Sequence, residues 1–488
     1  MVFSTSIFIY LFLPITLLIY YIAPKKSKNF IILLSGLVFY SWGEPIYVVV
    51  MLISTMIDYF AGLVMNHFEG KKLPRKLCLI VSVVMNLGLL GVFKYSGFIA
   101  ENINAIAGSQ IIDINNMNFF GIDFLPMNML PIGISFFTFQ SMSYTIDLYM
   151  GNVKVQKNPI SFAAFVTLFP QIVAGPIVRY DDVAKELDDR TITIDLIYDG
   201  IIRFIIGLSK KVLIANSIGA LWTAVKSTDI SQVSVVSSWL GILAFTFQIY
   251  FDFSGYSDMA IGLGKMMGFH FPENFNYPYL SKSISEFWRR WHITLGSWFK
   301  SYVYFPLGGN RKGMPRTIMN LAITWFLTGV WHGASWNFML WGTYFGILIV
   351  IERLFLGKVL EKIPAFFSWL YTFIMVVFGW VMFDAVAPGT VSFGNVFEQI
   401  WTFISAMFGG NGVFIDDTAT NYIVNYGIIF AVCIFGSSDV LKTIADYIRK
   451  KAPTWVQYGF PVVDTVIMLA SVAYLSTSNY NPFLYFNF

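Results

Sequence analysis

Charge is scarce in this chain: Asp, Glu, Lys and Arg together make up 12% of its 488 residues, about half the share found in soluble domains. With 56% of the residues hydrophobic, that deficit excludes a water-soluble globule, which would have too few charged side chains to cover its surface and too much apolar surface for one core. Disorder and coiled-coil architectures are excluded by the same aliphatic and aromatic load. Cysteine is nearly absent. Cys78 and Cys433 lie in apolar stretches with no second thiol or His nearby, so both are expected to be small core residues, and thiolate chemistry is not expected. No long basic run points to nucleic acid, and 32 basic against 28 acidic residues leave a net charge of only +4. GxGxxG, Walker, GxSxG, HExxH and Cys/His zinc spacings are missing in any usable setting, so neither nucleotide hydrolysis nor a bound metal is expected. Internal repeats are missing too, which removes support from solenoids and inverted-repeat transporters.

What is present is apolar: 49 Phe, 26 Tyr and 14 Trp accompany long aliphatic runs. The fold class expected is an all-α polytopic integral membrane protein, since a helix needs about 20 apolar residues to cross the hydrocarbon layer. Roughly 11 spans or re-entrant segments are expected on that criterion, near 7–22, 30–43, 46–66, 77–99, 125–148, 160–178, 198–222, 237–266, a hairpin over 317–351, 364–387, 421–439 and 456–476. The N-terminus has no basic region or small-residue cleavage site, so the run Ile7 to Ile22 is expected to stay as a membrane helix.

Lys and Arg collect in cytoplasmic loops. Lys25, Lys26 and Lys28 mark one such loop and Lys71, Lys72, Arg75 and Lys76 another, which places the N-terminus outside. Tyr95 to Val153 and Ile363 to Leu441 contain no Lys or Arg and are expected to include the external loops, with 442–451 internal. Lys282 to Arg316 carries seven basic residues against the single acid Glu286, interleaved with Trp288, Trp291, Trp298, Phe299, Tyr302 and Tyr304. This cytoplasmic segment is either a pair of interfacial helices that anchors the protein or a platform where an anionic donor docks.

Four histidines stand against this background. His67 and His270 fall at the ends of spans and suit interfacial positions. His332 lies between two apolar halves whose outer flanks, Arg316 on one side and Arg353 and Lys358 on the other, are both basic. That places it near the far turn of a hairpin within the membrane, where an ionisable group is expensive and by default a functional candidate. A neutral imidazole suits general-base work near neutral pH; the competing role is a hydrogen bond that locks helices. His292 follows Arg289 and Arg290, which could hold phosphate on a donor while His292 orients or polarises its acyl carbonyl. Asp252 and Asp258 interrupt another apolar run, either at an unwound turn with capping or ion-paired acids or at a binding site.

Taken in order, several segments resemble the membrane-bound O-acyltransferase family, in its bacterial polysaccharide-modifying branch. They are Gly133–Gln140, Leu168-Phe169-Pro170-Gln171-Ile172-Val173-Ala174-Gly175-Pro176, Tyr250 to Gly264, Phe271–Tyr279, Trp288–His292, Pro306–Arg311 and Trp331-His332-Gly333-Ala334. The resemblance covers 1–390 as the acyltransferase core and weakens over 391–488, an external loop and C-terminal helices of the same membrane domain. It implies helices around a central tunnel open to both sides, with His332 and His292 in the positions of the branch's two catalytic histidines. Arg289, Arg290, Asp258 and Asn337 are the candidate donor-binding residues. It further implies a multi-pass protein of the bacterial cytoplasmic membrane with no tightly bound cofactor. The donor would be acetyl-CoA or another acyl thioester, the acceptor a hydroxyl of an extracytoplasmic glycan, and a secreted or membrane-anchored acetyl-handling protein a partner. D-alanyl transfer from a carrier protein and, more remotely, a transporter are the alternatives.

Overall fold

The computed structural model of the chain describes residues 1–113, 130–477 and 484. Among them every regular element is a helix, the form that satisfies its own backbone hydrogen bonds without water. They pack as two compact units, Met1–Ile205 with Tyr256–Glu273, and Ile206–Gly255 with Asn274–Phe488. The first contains α1 (Phe8–Ile22), α2 (Lys28–Gly43), α3 (Val48–His67), α4 (Lys72–Ala107), α5 (Ile134–Met150), α6 (Pro159–Val166) and α7 (Tyr180–Asp188). Two long helices, α8 (Ile194–Ser227) and α9 (Val235–Met266), contribute residues to both units. The second unit continues with α10 (Ile284–Arg290), α11 (Ile293–Phe299), α12 (Met314–His332), α13 (Trp336–Leu360) and α14 (Ala365–Asp384). It ends with α15 (Phe393–Met407), α16 (Asp417–Gly436), α17 (Val440–Lys451) and α18 (Pro453–Thr477). Residues 391–477 thus pack within the second unit.

Eight helices among the described residues are long and apolar enough to cross a membrane: α3, α4, α8, α9, α13, α14, α16 and Tyr458–Thr477 of α18. The chain is therefore a multi-pass membrane protein, with eight such helices among the described residues against the roughly 11 spans or re-entrant segments expected. The clearest departure is 160–178, where α6 ends at Val166. Pro170 and the Gly175-Pro176 pair follow, and proline both lacks the helical N–H and disfavours helix in the residue before it. For the segment expected at 125–148, residues 125–129 lie outside the described ones, and the helix starts at Ile134.

Buried polar groups find partners across helices in both units. In the first, Asp58 of α3 accepts hydrogen bonds from Ser82 (2.5 Å) and Asn86 (2.8 Å) of α4 and from Ser141 of α5. In the second, Lys211 pairs with Asp252 at 2.6 Å, both side chains 2% exposed, and also donates to Asn216. Of the readings open at 252–258, the ion pairs form and the unwound turn does not. α9 runs through this segment unbroken, because the acids are answered by side chains, Asp252 by Lys211 and Asp258 by Arg203, and the backbone has no need to open.

Candidate active site

α12 and α13 form the hairpin expected around His332, with Gly333, Ala334 and Ser335 at its turn. Two glycines set how closely the helices cross. A Cβ at Gly329 would stand 2.4 Å from the Phe338 carbonyl oxygen, and one at Gly342 would stand 2.5 Å from that of Trp325, so only bare backbone fits. His332, the last residue of α12, is buried by this approach. Its imidazole is enclosed by Trp331, Trp341 and Phe383, with ring centroids 5.0, 4.8 and 5.5 Å away. Asn337, in the first turn of α13, donates its Nδ2–H to the Phe383 carbonyl at 2.9 Å. It thereby holds the end of α14, and the Phe383 ring, beside His332.

His292 sits between α10 and α11 with φ 43° and ψ 53°, a left-handed conformation that only Tyr277 shares among the described non-glycine residues and that persists only when its surroundings enforce it. The enforcement comes from the segment 274–276. Asn276 N–H donates to the Arg290 carbonyl and Ile293 N–H to the Asn274 carbonyl. The Asn274 side chain completes the arrangement. Its Oδ1 lies 3.0 Å from His292 Nδ1, 3.3 Å from the Thr294 backbone N and 2.9 Å from Thr294 Oγ1. A backbone N–H only donates, so this Asn274 atom is the oxygen and His292 Nδ1 carries the proton. Nε2 therefore holds a lone pair, and among the described residues it is buried with no hydrogen-bond partner. Burial pushes the His292 pKa down to about 3, so the ring is neutral at physiological pH. A lone pair at Nε2 accepts hydrogen bonds and does not donate them. Trp331 stands between the two histidines, 6.2 Å from the His292 ring and 5.0 Å from that of His332.

Two adjoining cavities lie beside His292, which lines the first of them. One, of about 400 Å³, is lined by Trp288, Arg289, His292, Leu295, Trp325 and Thr328 among others. Thr328 lies one helical turn before His332 on the same face of α12. The other, of about 600 Å³, is charged, with Lys282, Glu286, Arg289, Arg353 and Glu361 on its walls. Ser285, Arg289, Tyr304, Leu321 and Ile349 line both. The segment from Lys282 to Arg316 thus lends charged side chains to one cavity and aromatic ones to the other.

The candidate donor residues fare differently. Arg289 is exposed and borders both cavities. Arg290 is committed to Glu286 at 2.8 Å and reaches the Asn276 carbonyl. Asp258 belongs to the first unit, where Arg203 bonds it at 2.7 Å and grips Glu273 with its other nitrogens. His67 closes α3, and His270 is exposed and bonded to Glu186 at 2.7 Å.

The sequence reading missed Glu352. Buried on α13, it accepts from Ile284 N–H (2.6 Å), Ser285 N–H (2.9 Å) and Ser285 Oγ–H (2.7 Å). One carboxylate thus caps the start of α10, the helix that carries Trp288 and Arg289 and leads into His292. An acid directly beyond the apolar run Trp336–Ile351 is the signal the sequence offers.

The membrane-bound O-acyltransferase family model matches residues 136–387, a stretch that includes both histidines and most of the cavity walls. The chain is 38% identical to the "Probable alginate O-acetylase AlgI" of Pseudomonas putida, over the whole of both chains. It is 31% identical to the peptidoglycan O-acetyltransferase of Helicobacter pylori, over all of this chain and 98% of that one. Against the teichoic acid D-alanyltransferase of Bacillus subtilis it is 30% identical, over 53% of this chain and 70% of the relative.

Proposed function

The chain belongs to the membrane-bound O-acyltransferase family, in a branch like the alginate O-acetylases, and is an acyltransferase; on that premise we propose that it transfers acetyl from a cytoplasmic thioester, acetyl-CoA, to an extracytoplasmic hydroxyl. The observation that carries this reading is the pair of adjoining cavities, charged and then aromatic, that ends at His292 and Thr328, one turn from His332. A donor with a phosphorylated head and a slender acyl arm fits that order, with Arg289 beside the phosphates.

In the reaction His332 takes the proton of the acceptor hydroxyl as its oxygen attacks the acyl carbon. The carbon–sulfur bond breaks, the new carbon–oxygen bond forms, and the proton passes to the leaving thiolate. Donor activation is already stored in the thioester, so ATP is not consumed. Neutral His292 accepts a hydrogen bond from the donor arm through Nε2, and Asn337 positions the ring wall around His332. The acceptor is a polysaccharide hydroxyl or that of a secreted or membrane-anchored partner that completes the transfer. The protein sits in a bacterial cytoplasmic membrane, with the distribution of Lys and Arg placing its N-terminus outside.

In proteoliposomes supplied with labelled acetyl-CoA, His332→Ala should form no ester while remaining inserted and folded. Ester formation at the wild-type rate would overturn the assignment. D-alanyl transfer is the second reading, carried by the match to the Bacillus subtilis enzyme. Consumption of a D-alanyl carrier thioester and not of acetyl-CoA would select it.

A further inference from the structure

Between α16 and the span Tyr458–Thr477 lies α17, a helix of 12 residues none of which is buried. Val440, Ile444, Tyr447 and Ile448 recur at the spacing of a single helix face, with Leu441 at its border. Val440 is 40%, Leu441 57%, Ile444 50% and Tyr447 64% exposed. The opposite face carries Lys442, Asp446, Arg449 and Lys450, and Lys451 closes the last turn. Arg449 is shared between Asp446 at 3.2 Å and the Phe460 ring. No ion pair joins Lys442, Lys450 or Lys451 to an acid among the described residues.

We propose that α17 lies in the plane of the bilayer surface and binds anionic phospholipid headgroups. The apolar face rests at the acyl boundary, the arrangement adopted by helices with one apolar and one basic face. Lys442, Lys450 and Lys451 meet headgroup phosphates. Two features select this occupant over a second protein. The helix joins two segments that are both long and apolar enough to cross the membrane, which would keep it next to lipid. Its charge of four cations against one acid complements an anionic surface, where each cation is worth about fivefold in binding. A zwitterionic surface offers the apolar face the same contact and the cations no net gain.

The test compares amide hydrogen exchange of the full-length protein in nanodiscs of pure phosphatidylcholine and of phosphatidylcholine mixed equally with phosphatidylglycerol. Exchange across 444–449 should slow at least fivefold in the anionic discs, and the difference should shrink in high salt. It should also vanish in a variant with Lys442, Arg449, Lys450 and Lys451 each changed to Gln, while the amides of α3 report an unchanged fold. Equal exchange in the two lipids would overturn the proposal. So would the same protection in lipid-free detergent, which would assign α17 to a protein contact.

Discussion

Asp58 and His292 are both buried polar side chains in a chain with little charge to spare, one in each compact unit, and their hydrogen bonding differs. Asp58 has both oxygens occupied: Ser82 and Asn86 donate to one and Ser141 to the other. The donors are in turn tied in, Asn86 Oδ1 by Ser54 and Ser82 by Thr145. Such a network specifies how three helices pack. His292 is tied only at Nδ1, its backbone is held in a left-handed conformation, and Nε2 borders a cavity with no partner among the described residues. Buried groups in native proteins are as a rule satisfied, and the exceptions call for an explanation. Full satisfaction at Asp58 fits a purely architectural role, and the open acceptor of His292 is the feature on which its proposed contact with the donor rests.

Exchanging each member of the pair tests that distinction. His292→Asn should lower kcat/KM for the thioester donor about a hundredfold, near 3 kcal/mol, with little change in thermal midpoint. Asn accepts left-handed backbone readily, and the oxygen of Asn274 keeps both Thr294 donors. Asp58→Ala should do the opposite. It strands the donors from Ser82, Asn86 and Ser141, at a cost of about 2 kcal/mol in stability, while the activity of each folded molecule is unchanged. Thermal melts in detergent and single-turnover assays on the folded fraction read the two effects separately. An Asp58 variant that folds normally but has lost its catalytic rate would collapse the comparison.

The same contrast shows what was legible in the sequence. His332 could be found because scarcity of charge made a lone imidazole between two basic-flanked apolar halves conspicuous, and the hairpin itself followed from Arg316 and Arg353. His292 was flagged by its neighbours in the Trp288–Trp291 motif. Its partner Asn274, 18 residues earlier, was not singled out, because only the folded backbone pairs 274–276 with 290–293. Glu352 was hidden for the same reason, being 68 residues from the amide it caps. At 252–258 the sequence left open an unwound turn with ion-paired acids or a binding site; the pairs with Lys211 and Arg203 form, and because they do, α9 stays helical. Long apolar runs announced the eight helices long enough to cross a membrane, while Pro170 and Gly175-Pro176 shortened the segment expected at 160–178.

Glu352 extends the comparison to a group that is satisfied like Asp58 but sits on a cavity wall like His292. Glu352→Gln keeps the shape and removes the charge. Its amide nitrogen cannot accept from the start of α10, so that helix should loosen. The expected result is a tenfold rise in KM for the donor, about 1.4 kcal/mol, with kcat changed less, and faster amide exchange at Ile284 and Ser285. Faster exchange with an unaltered KM would show that the clamp serves folding alone.

The smallest effect follows from the protonation of His292. Its folded-state value of about 3 lies below the ordinary imidazole value of about 6.5, so the folded protein binds this proton less readily than the unfolded chain. The neutral ring's contribution to stability is therefore complete above about pH 6.5 and is lost progressively as pH falls toward 3. Between pH 7 and pH 5.5 the loss from this site amounts to about 1 kcal/mol, and His292→Asn should remove that part of the pH dependence. Activity should behave differently. A ring that stays neutral throughout this range contributes no acidic limb to kcat/KM, so the limb of the wild type should persist in His292→Asn at its reduced rate. If the limb disappears with the substitution, His292 exchanges protons during turnover, and its lone pair acts as a base instead of a fixed acceptor.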